Sequence, residues 1–219
     1  MTDPARWRCL DLFAGLGGFS SAFAESEVWA VTTVDIEERF KPDICADVFD
    51  LRPSDLGEYD VVLASPPCPE FSPAQNLNGK HDPDEDAIAL VHHAIGLAKG
   101  IKPEYWVLEN PRGRLRSYIG RPETTVTYCQ YGQERMKPTD LWGQHPTAFV
   151  SQRCDYGDGC HINHRSGSNA QRDELGMKTA AARSKVPHGL SEAIREACET
   201  GLRGEAREQA TLAEVTNGD

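Results

Sequence analysis

The chain has 219 residues, of which 39% are hydrophobic and 26% are charged, and this suits one globular domain with a full core or one domain with a small insertion. The sequence contains no run of about 18 apolar residues, which argues against a membrane-spanning helix. Its first residues lack the apolar stretch of an export signal, so we expect a cytoplasmic protein whose seven cysteines stay reduced.

Charge is distributed unevenly along the chain. The formal net charge is −11, which by itself argues against a nucleic-acid partner. Residues 110–185, however, carry 12 basic and 7 acidic side chains, whereas residues 1–109 carry 8 basic and 20 acidic ones. A local basic face is what phosphate contacts need. An ordinary solvated surface would have the same composition, so charge alone favours neither interpretation.

Short apolar segments alternate with helical patterns through most of the chain. A glycine-rich turn at residues 14–18 separates the first predicted strand from a helix that begins near Phe19. Apolar residues at helical spacing predict a second helix over Asp84–Lys99, and Ser191 is a candidate cap for a third over Ser191–Glu199. The predicted strands are Arg8–Phe13, Val28–Val34, Asp60–Ser65, Tyr105–Leu108 and Thr124–Tyr128.

This alternation predicts an α/β fold with a mostly parallel sheet and helices on both faces. In such sheets, ligands bind at the carboxyl ends of the strands. Gly15, Asp35, Cys68 and Glu109 each lie at or just beyond a predicted strand end. We therefore expect these four residues to surround one crevice.

The turn Ala14–Gly18 has the composition of a ligand-binding loop. Glycines let the backbone approach a ligand closely, and the N-terminus of the following helix favours negative charge. Asp35, at the end of the next strand, could accept hydrogen bonds from ribose hydroxyls. For the glycines alone, a tight structural turn is the alternative.

Prolines surround Cys68 in the segment Ser65–Ser72 (SPPCPEFS), and they restrict the conformation of this loop. A cysteine held rigidly beyond a strand end is a candidate nucleophile, although the thiolate would need a lowered pKa. A buried packing cysteine is the alternative. We prefer that packing role for Cys9, Cys45, Cys129 and Cys198.

Two further segments carry polar side chains suited to a reacting base. Glu109-Asn110 follows an apolar strand, where a carboxylate could act as a general acid or base, although Asn-Pro is also common in turns. Gln133, Arg135 and Lys137 alternate, so they would share one face of an extended segment. Such a row could bind phosphates or a base edge, or it could be a solvated edge strand.

Together these segments resemble, in order, the motifs of the cytosine carbon-5 DNA methyltransferases. Residues 11–23 (DLFAGLGGFSSAF) are similar to the family's first motif, and Cys68 matches its Pro-Cys nucleophile. Glu109-Asn110 matches the Glu-Asn pair, and the row Gln133-x-Arg135-x-Lys137 resembles the Gln-x-Arg-x-Arg motif. Residues 185–194 resemble the family's final motif. The whole resemblance covers about residues 8–149 and 184–199.

The resemblance implies a Rossmann-like fold that binds S-adenosylmethionine and methylates carbon 5 of a flipped cytosine in DNA through a covalent Cys68 adduct. The implied catalytic residues are Cys68, Glu109 and Arg135. The implied cofactor-binding residues are Phe13, Ala14, Gly15, Gly17, Gly18, Asp35, Ile36, Asp47, Val48, Pro66 and Leu90. The implied substrate-binding residues are Ser65, Pro67, Phe71, Ser72, Asn110, Arg112, Gln133 and Lys137. The basic residues between 112 and 121 would add DNA contacts.

Several positions depart from the family pattern. Pro69 stands where the family usually has Gln, Pro111 replaces the usual Val, and Lys137 replaces the last Arg of its motif. Ser184-Lys185 stand where the final motif usually has Gly-Asn. These departures leave room for a transferase that moves a different group or acts on a modified base.

The large target-recognition domain of the family is missing. The expected division is a catalytic domain over 1–149, a short polar insertion over 150–183, the returning motif and helix over 184–200, and a polar tail over 201–219. A dimer or a partner protein could supply target recognition. RNA is the alternative substrate, and a non-catalytic nucleic-acid-binding module is a further alternative, against which Cys68 and Glu109 argue.

The insertion contains Cys154, Cys160, His161 and His164. Cysteine and histidine are zinc ligands, and a metal could help a loop with little core to fold. The spacing matches no standard zinc finger, however. We therefore expect a polar loop with no metal.

Overall fold

The computed structural model describes residues 7–71, 82–155, 157–161 and 184–204. Seven strands form one sheet: β1 (Trp7–Leu12), β2 (Trp29–Asp35), β3 (Ile44–Cys45), β4 (Val61–Ala64), β5 (Tyr105–Pro111), β6 (Thr124–Thr127) and β7 (Pro138–Gln144). Five α-helices accompany them in these ranges: α1 (Ser21–Ala24), α2 (Pro53–Leu56), α3 (Glu85–Ile101), α4 (Arg116–Ile119) and α5 (His188–Leu202). Ser72 and His164 lie outside the described residues.

The sheet has the strand order β3-β2-β1-β4-β5-β7-β6. All neighbouring strands pair in parallel except β7, which is antiparallel to both β5 and β6. The chain moves outwards from β1 to β3 and then returns to place β4 on the other side of β1. This reversal is a switch point of the kind at which α/β sheets bind ligands, and the α/β prediction is confirmed.

The strand register aligns the residues that precede the candidate site. Leu12 pairs with Val34 of β2 and with Ala64 of β4, and Ala64 pairs with Leu108 of β5. These four residues therefore form one row across the sheet. The residues that follow them along the chain emerge at the same edge, because all four strands point the same way.

Alternate residues of the central strands are buried on opposite faces. One face, which includes Cys9, Leu63 and Val107, packs in one cluster with Phe23 of α1 and Ile194 of α5. The other face packs against α2 and α3. Helices thus cover both faces, because the parallel strands are apolar on both sides.

Most predicted boundaries agree with the structure to within a few residues, but helix α5 does not begin where the sequence suggested. It starts at His188, directly after Pro187, whose fixed φ and missing N–H suit the beginning of a helix. Ser191 is fully buried instead. Its hydroxyl donates to the Phe19 carbonyl (2.6 Å) and accepts from the Ala22 N–H (3.1 Å), which joins α5 to the start of α1.

Strand β7 was not predicted, because its sequence PTDLWGQ begins with proline and contains an acidic residue and a glycine. Residues 133–137 were expected to be extended, but they form a bend before β7. In the described part of the chain, no helix combines the length and apolar character that crossing a membrane requires.

Candidate active site

A cavity of about 490 Å³ lies at the carboxyl ends of the strands. Gly15, Asp35, Cys68 and Glu109 all line it, as the strand-end argument predicted. The predicted cofactor-binding residues that line the cavity are Phe13, Ala14, Gly15, Gly18, Asp35, Ile36, Asp47, Val48, Pro66 and Leu90. Gly17 lies in the same turn but is not part of the lining.

The turn after β1 has an unusual backbone. Phe13, Gly15 and Gly17 adopt positive φ angles of 61°, 53° and 66°, a region that glycine enters without steric cost. The Gly17 N–H donates to the Ala14 carbonyl at 2.7 Å, which closes the turn. Substituting Gly15 or Gly17 would therefore strain the turn whatever space surrounds the new side chain.

Asp35 connects the two loops at one side of the cavity. Its Oδ2 accepts from the Gly15 N–H and its Oδ1 accepts from the Glu37 N–H, both at 2.8 Å. Carboxylate oxygens have lone pairs for further bonds, so Asp35 can accept from a ligand while holding both loops. Asp47 caps the short helix Val48–Asp50 by accepting from the Phe49 N–H at 3.0 Å.

Gly18 allows a close approach between distant parts of the chain. A Cβ at this position would lie 2.8 Å from the Val186 carbonyl oxygen and 2.6 Å from Cγ of Lys185. Residues 184–186 can therefore complete the cavity wall beside the glycine turn. The need for glycine here comes from this packing as well as from any ligand.

Cys68 lies in the proline-rich loop after β4 and is half-buried. Burial and the nearby Glu109 carboxylate raise the pKa of the Cys68 thiol, and the Lys137 ammonium opposes this shift. The resting form is therefore the thiol. The buried Asn110 side chain donates to the Pro66 carbonyl at 3.1 Å, so it fixes the base of this loop.

Glu109 is 4% exposed and accepts a hydrogen bond of 2.6 Å from the hydroxyl of Tyr128, which is fully buried. Burial and the adjacent Glu109 raise the pKa of Tyr128, so its hydroxyl remains the donor. The Lys137 ammonium lies 4.4 Å from the centre of the Tyr128 ring. The sequence reasoning did not identify Tyr128, because a tyrosine at the end of a strand has the pattern of an ordinary core residue.

The remaining predicted residues divide between cavity and surroundings. Ser65, Pro67 and Lys137 line the cavity, whereas Phe71, Asn110, Arg112, Gln133 and Arg135 do not. Phe71 is fully buried in the core, where it supports the loop instead of facing a substrate. Gln133 donates to the Lys185 carbonyl at 3.2 Å, so it ties the bend to the returning segment.

The basic residues after β5 have different surroundings. Arg116 forms a bidentate ion pair with the fully buried Asp140. Arg114 forms an ion pair with Asp82 at 2.6 Å. Arg112 is exposed. The Arg116 guanidinium thus neutralises a buried carboxylate, and the contact of these cations with DNA stays a prediction.

Comparison with known proteins places the chain among the DNA methylases. Residues 7–128 match the family model described as "C-5 cytosine-specific DNA methylase". The chain is 32% identical over 183 residues to the "Probable DNA (cytosine-5)-methyltransferase" of Frog virus 3, an alignment that covers 75% of this chain and 82% of the viral one. It is also 32% identical over 122 residues to the type II methyltransferase M.XorII of Xanthomonas oryzae pv. oryzae, with 48% of this chain and 28% of that protein covered.

Among solved structures, the Entamoeba histolytica methyltransferase EhMeth matches with a TM-score of 0.48 and 13% identity, over 70% of this chain and 58% of that one. The family match covers more than half of the chain, and the viral relative matches over most of its length. The chain belongs to the C-5 cytosine-specific DNA methylase family.

Proposed function

We propose that the protein is a DNA (cytosine-5)-methyltransferase that uses S-adenosylmethionine. The observation that carries this proposal is the shared cavity, in which the candidate nucleophile Cys68 and the carboxyl group of Glu109 lie with the glycine turn and Asp35. A nucleophile, an acid and a nucleoside-binding loop in one cavity are the parts that methylation of a pyrimidine ring requires.

The cavity suits an adenosine-containing cofactor. Its lining combines the apolar side chains of Phe40, Val48 and Leu90 with the carboxylates of Asp35 and Asp47, which would accept hydrogen bonds from ribose hydroxyls and from the adenine amino group. When bound, S-adenosylmethionine supplies an electrophilic methyl group for carbon 5.

Cys68 supplies the nucleophile in this proposal. Carbon 5 of cytosine is a weak nucleophile, and addition of a thiolate at carbon 6 makes it enamine-like and more reactive. The new bond joins Sγ of Cys68 to carbon 6. After carbon 5 has been methylated, loss of its proton and of the Cys68 thiolate restores the aromatic ring. Because the free thiol has a raised pKa, deprotonation must accompany substrate binding.

Glu109 would stabilise the adduct at ring nitrogen 3, either by donating a proton or by sharing one. Tyr128 holds one oxygen of this side chain from inside the protein, which limits the positions that the carboxyl group can take. Arg135, predicted to hold the base carbonyl, does not line the cavity. That role would need a movement of the bend at residues 133–137 when the base enters.

A cytosine in a duplex must leave the stack before Cys68 can reach carbon 6. We assign the chemistry to residues 1–149 and 184–200, and we assign target recognition either to residues 150–183 or to a dimer or a partner protein. Arg112 and the proline-rich loop are the predicted DNA contacts.

The test is mass spectrometry of nucleosides from plasmid DNA and from total RNA, each incubated with protein and S-adenosylmethionine. We expect 5-methylcytosine in DNA with the wild type and none with Cys68→Ala, while cofactor binding by calorimetry is unchanged. The matched control, Cys45→Ala, alters an exposed cysteine and should keep activity. Product in RNA alone would change the substrate, and normal turnover by Cys68→Ala would refute the mechanism.

A further inference from the structure

Three cysteines and one histidine from separate segments meet beside the β6–β7 connection. Cys129 lies in the short helix Tyr128–Tyr131 that follows β6, Cys154 follows β7, and Cys160 and His161 belong to the next turn. Their ligand atoms all lie within 4.8 Å of one another. Cys129 was expected to be a packing cysteine, and His164 was considered in its place.

Three of the four short distances within the group fit a single metal ion, and the fourth, 3.1 Å from Cys129 Sγ to Cys154 Sγ, is shorter than a zinc site would set. A tetrahedral zinc site with bonds of about 2.3 Å to sulfur and about 2.0 Å to nitrogen places two sulfurs about 3.8 Å apart, and a sulfur and a nitrogen about 3.5 Å apart. Cys160 Sγ lies 3.7 Å from Cys129 Sγ. His161 Nδ1 lies 3.5 Å from Cys160 Sγ and 3.7 Å from Cys154 Sγ.

A disulfide accounts for the group less well. The shortest sulfur–sulfur distance, Cys129 to Cys154, is 3.1 Å, far from the length of about 2.05 Å of a disulfide. A disulfide would also leave the third cysteine and the inward-facing His161 nitrogen without a role. The Gln130 side-chain amide donates to Cys160 Sγ at 3.2 Å, and such a donor beside a metal-bound sulfur is typical of zinc sites.

We infer that Cys129, Cys154, Cys160 and His161 form a structural zinc site. Four protein ligands fill the tetrahedral coordination of zinc and leave no position open for a substrate, which is typical of structural sites. Three of the four residues are buried, and Cys160 closes the site from the solvent side. Cys154 is also held by its backbone, whose N–H donates to Thr127 Oγ1 at 2.8 Å.

The site would stabilise the segment that carries part of the active site. Cys129 is the neighbour of Tyr128, which donates to Glu109, and the same connection continues to Lys137. Zinc would therefore hold this connection against residues 154–161, which follow β7.

The experiment measures metal in the purified full-length chain, kept reduced and free of chelators, by inductively coupled plasma mass spectrometry. We expect about one zinc per chain in the wild type. Cys160→Ser, at the solvent side of the site, should lose most of this zinc, whereas Cys45→Ser, an exposed cysteine outside the cluster, should retain it.

A second measurement does not depend on the folding of a variant. After removal of metal by a chelator, titration of the reduced wild type with Co²⁺ should give the absorption bands of tetrahedral cobalt bound to thiolates, saturating at one equivalent. Absence of both zinc and cobalt binding would overturn the inference. Full zinc retention by both Cys160→Ser and Cys154→Ser would also overturn it. The same holds if the chain purifies without metal and peptide mapping then finds a Cys129–Cys154 disulfide.

Discussion

The hydrogen bond between Tyr128 and Glu109 can be tested by removing one oxygen atom. Tyr128→Phe keeps the ring in the core but deletes the donor that lies 2.6 Å from Glu109 Oε1. Both side chains are buried, at 0% and 4% exposure, so water cannot easily replace the lost partner. Leaving a buried acceptor unsatisfied costs about 1–3 kcal/mol. For a chain of this size, each 1 kcal/mol lowers the melting temperature by about 2–4 °C.

The assay is urea unfolding followed by circular dichroism, combined with steady-state kinetics on DNA. If the bond also positions Glu109 for the reaction, the same 1–3 kcal/mol lowers kcat/KM by about 5- to 150-fold. Tyr131→Phe is the matched control, since its hydroxyl accepts from the Gln152 backbone N–H (2.9 Å) and not from a residue of the cavity, and it should leave kcat/KM unchanged. A loss of stability below about 0.5 kcal/mol together with unchanged kinetics for Tyr128→Phe would refute this reasoning.

Three further predictions concern other charged or ionisable groups. Burial raises the pKa of Asp11 to about 7, so the stability that its neutral form contributes is present at low pH and is lost as pH rises through that value. The unfolding free energy of Asp11→Asn should therefore increase, relative to that of the wild type, by about 2–3 kcal/mol between about pH 5 and about pH 8. A difference between the two proteins that does not change with pH would contradict this. Arg116→Ala should lower the unfolding free energy by about 3 kcal/mol, because it leaves the buried Asp140 without its cation. A loss below about 1 kcal/mol would contradict the stabilising role of this ion pair. Lys137→Met should slow the alkylation of Cys68 by about 3- to 10-fold near neutral pH, since the ammonium lowers the pKa of that thiol; peptide mapping after iodoacetamide treatment measures the rate, and an equal or faster rate would contradict the prediction.

The sequence predicted the parts of the site that depend on local pattern. Strand ends are visible as apolar runs that stop at glycine, proline or a charge, so the meeting of Gly15, Asp35, Cys68 and Glu109 followed from a parallel sheet. Contacts between segments distant in sequence were not visible. Tyr128 has the pattern of a core residue until its hydroxyl is placed against Glu109.

The Cys129 cluster shows the same limit. Cys154, Cys160 and His161 were recognised as possible ligands because they are close in sequence, but Cys129 is 25 residues before Cys154 and belongs to another element. Strand β7 brings the two segments together, and its own sequence did not predict a strand. One missed strand therefore hid the fourth member of the cluster.

The packing of residues 184–202 against the glycine turn has a consequence for synthesis on the ribosome. Val186 and helix α5 cover the first strands, yet they are made after the rest of the described chain. Until they emerge, the sheet face that includes Cys9 and Leu63 lacks the cover of α5, and the wall beside Gly18 is incomplete. A nascent chain thus exposes apolar surface that chaperones bind, and its cavity is completed only after residues 184–202 have been made.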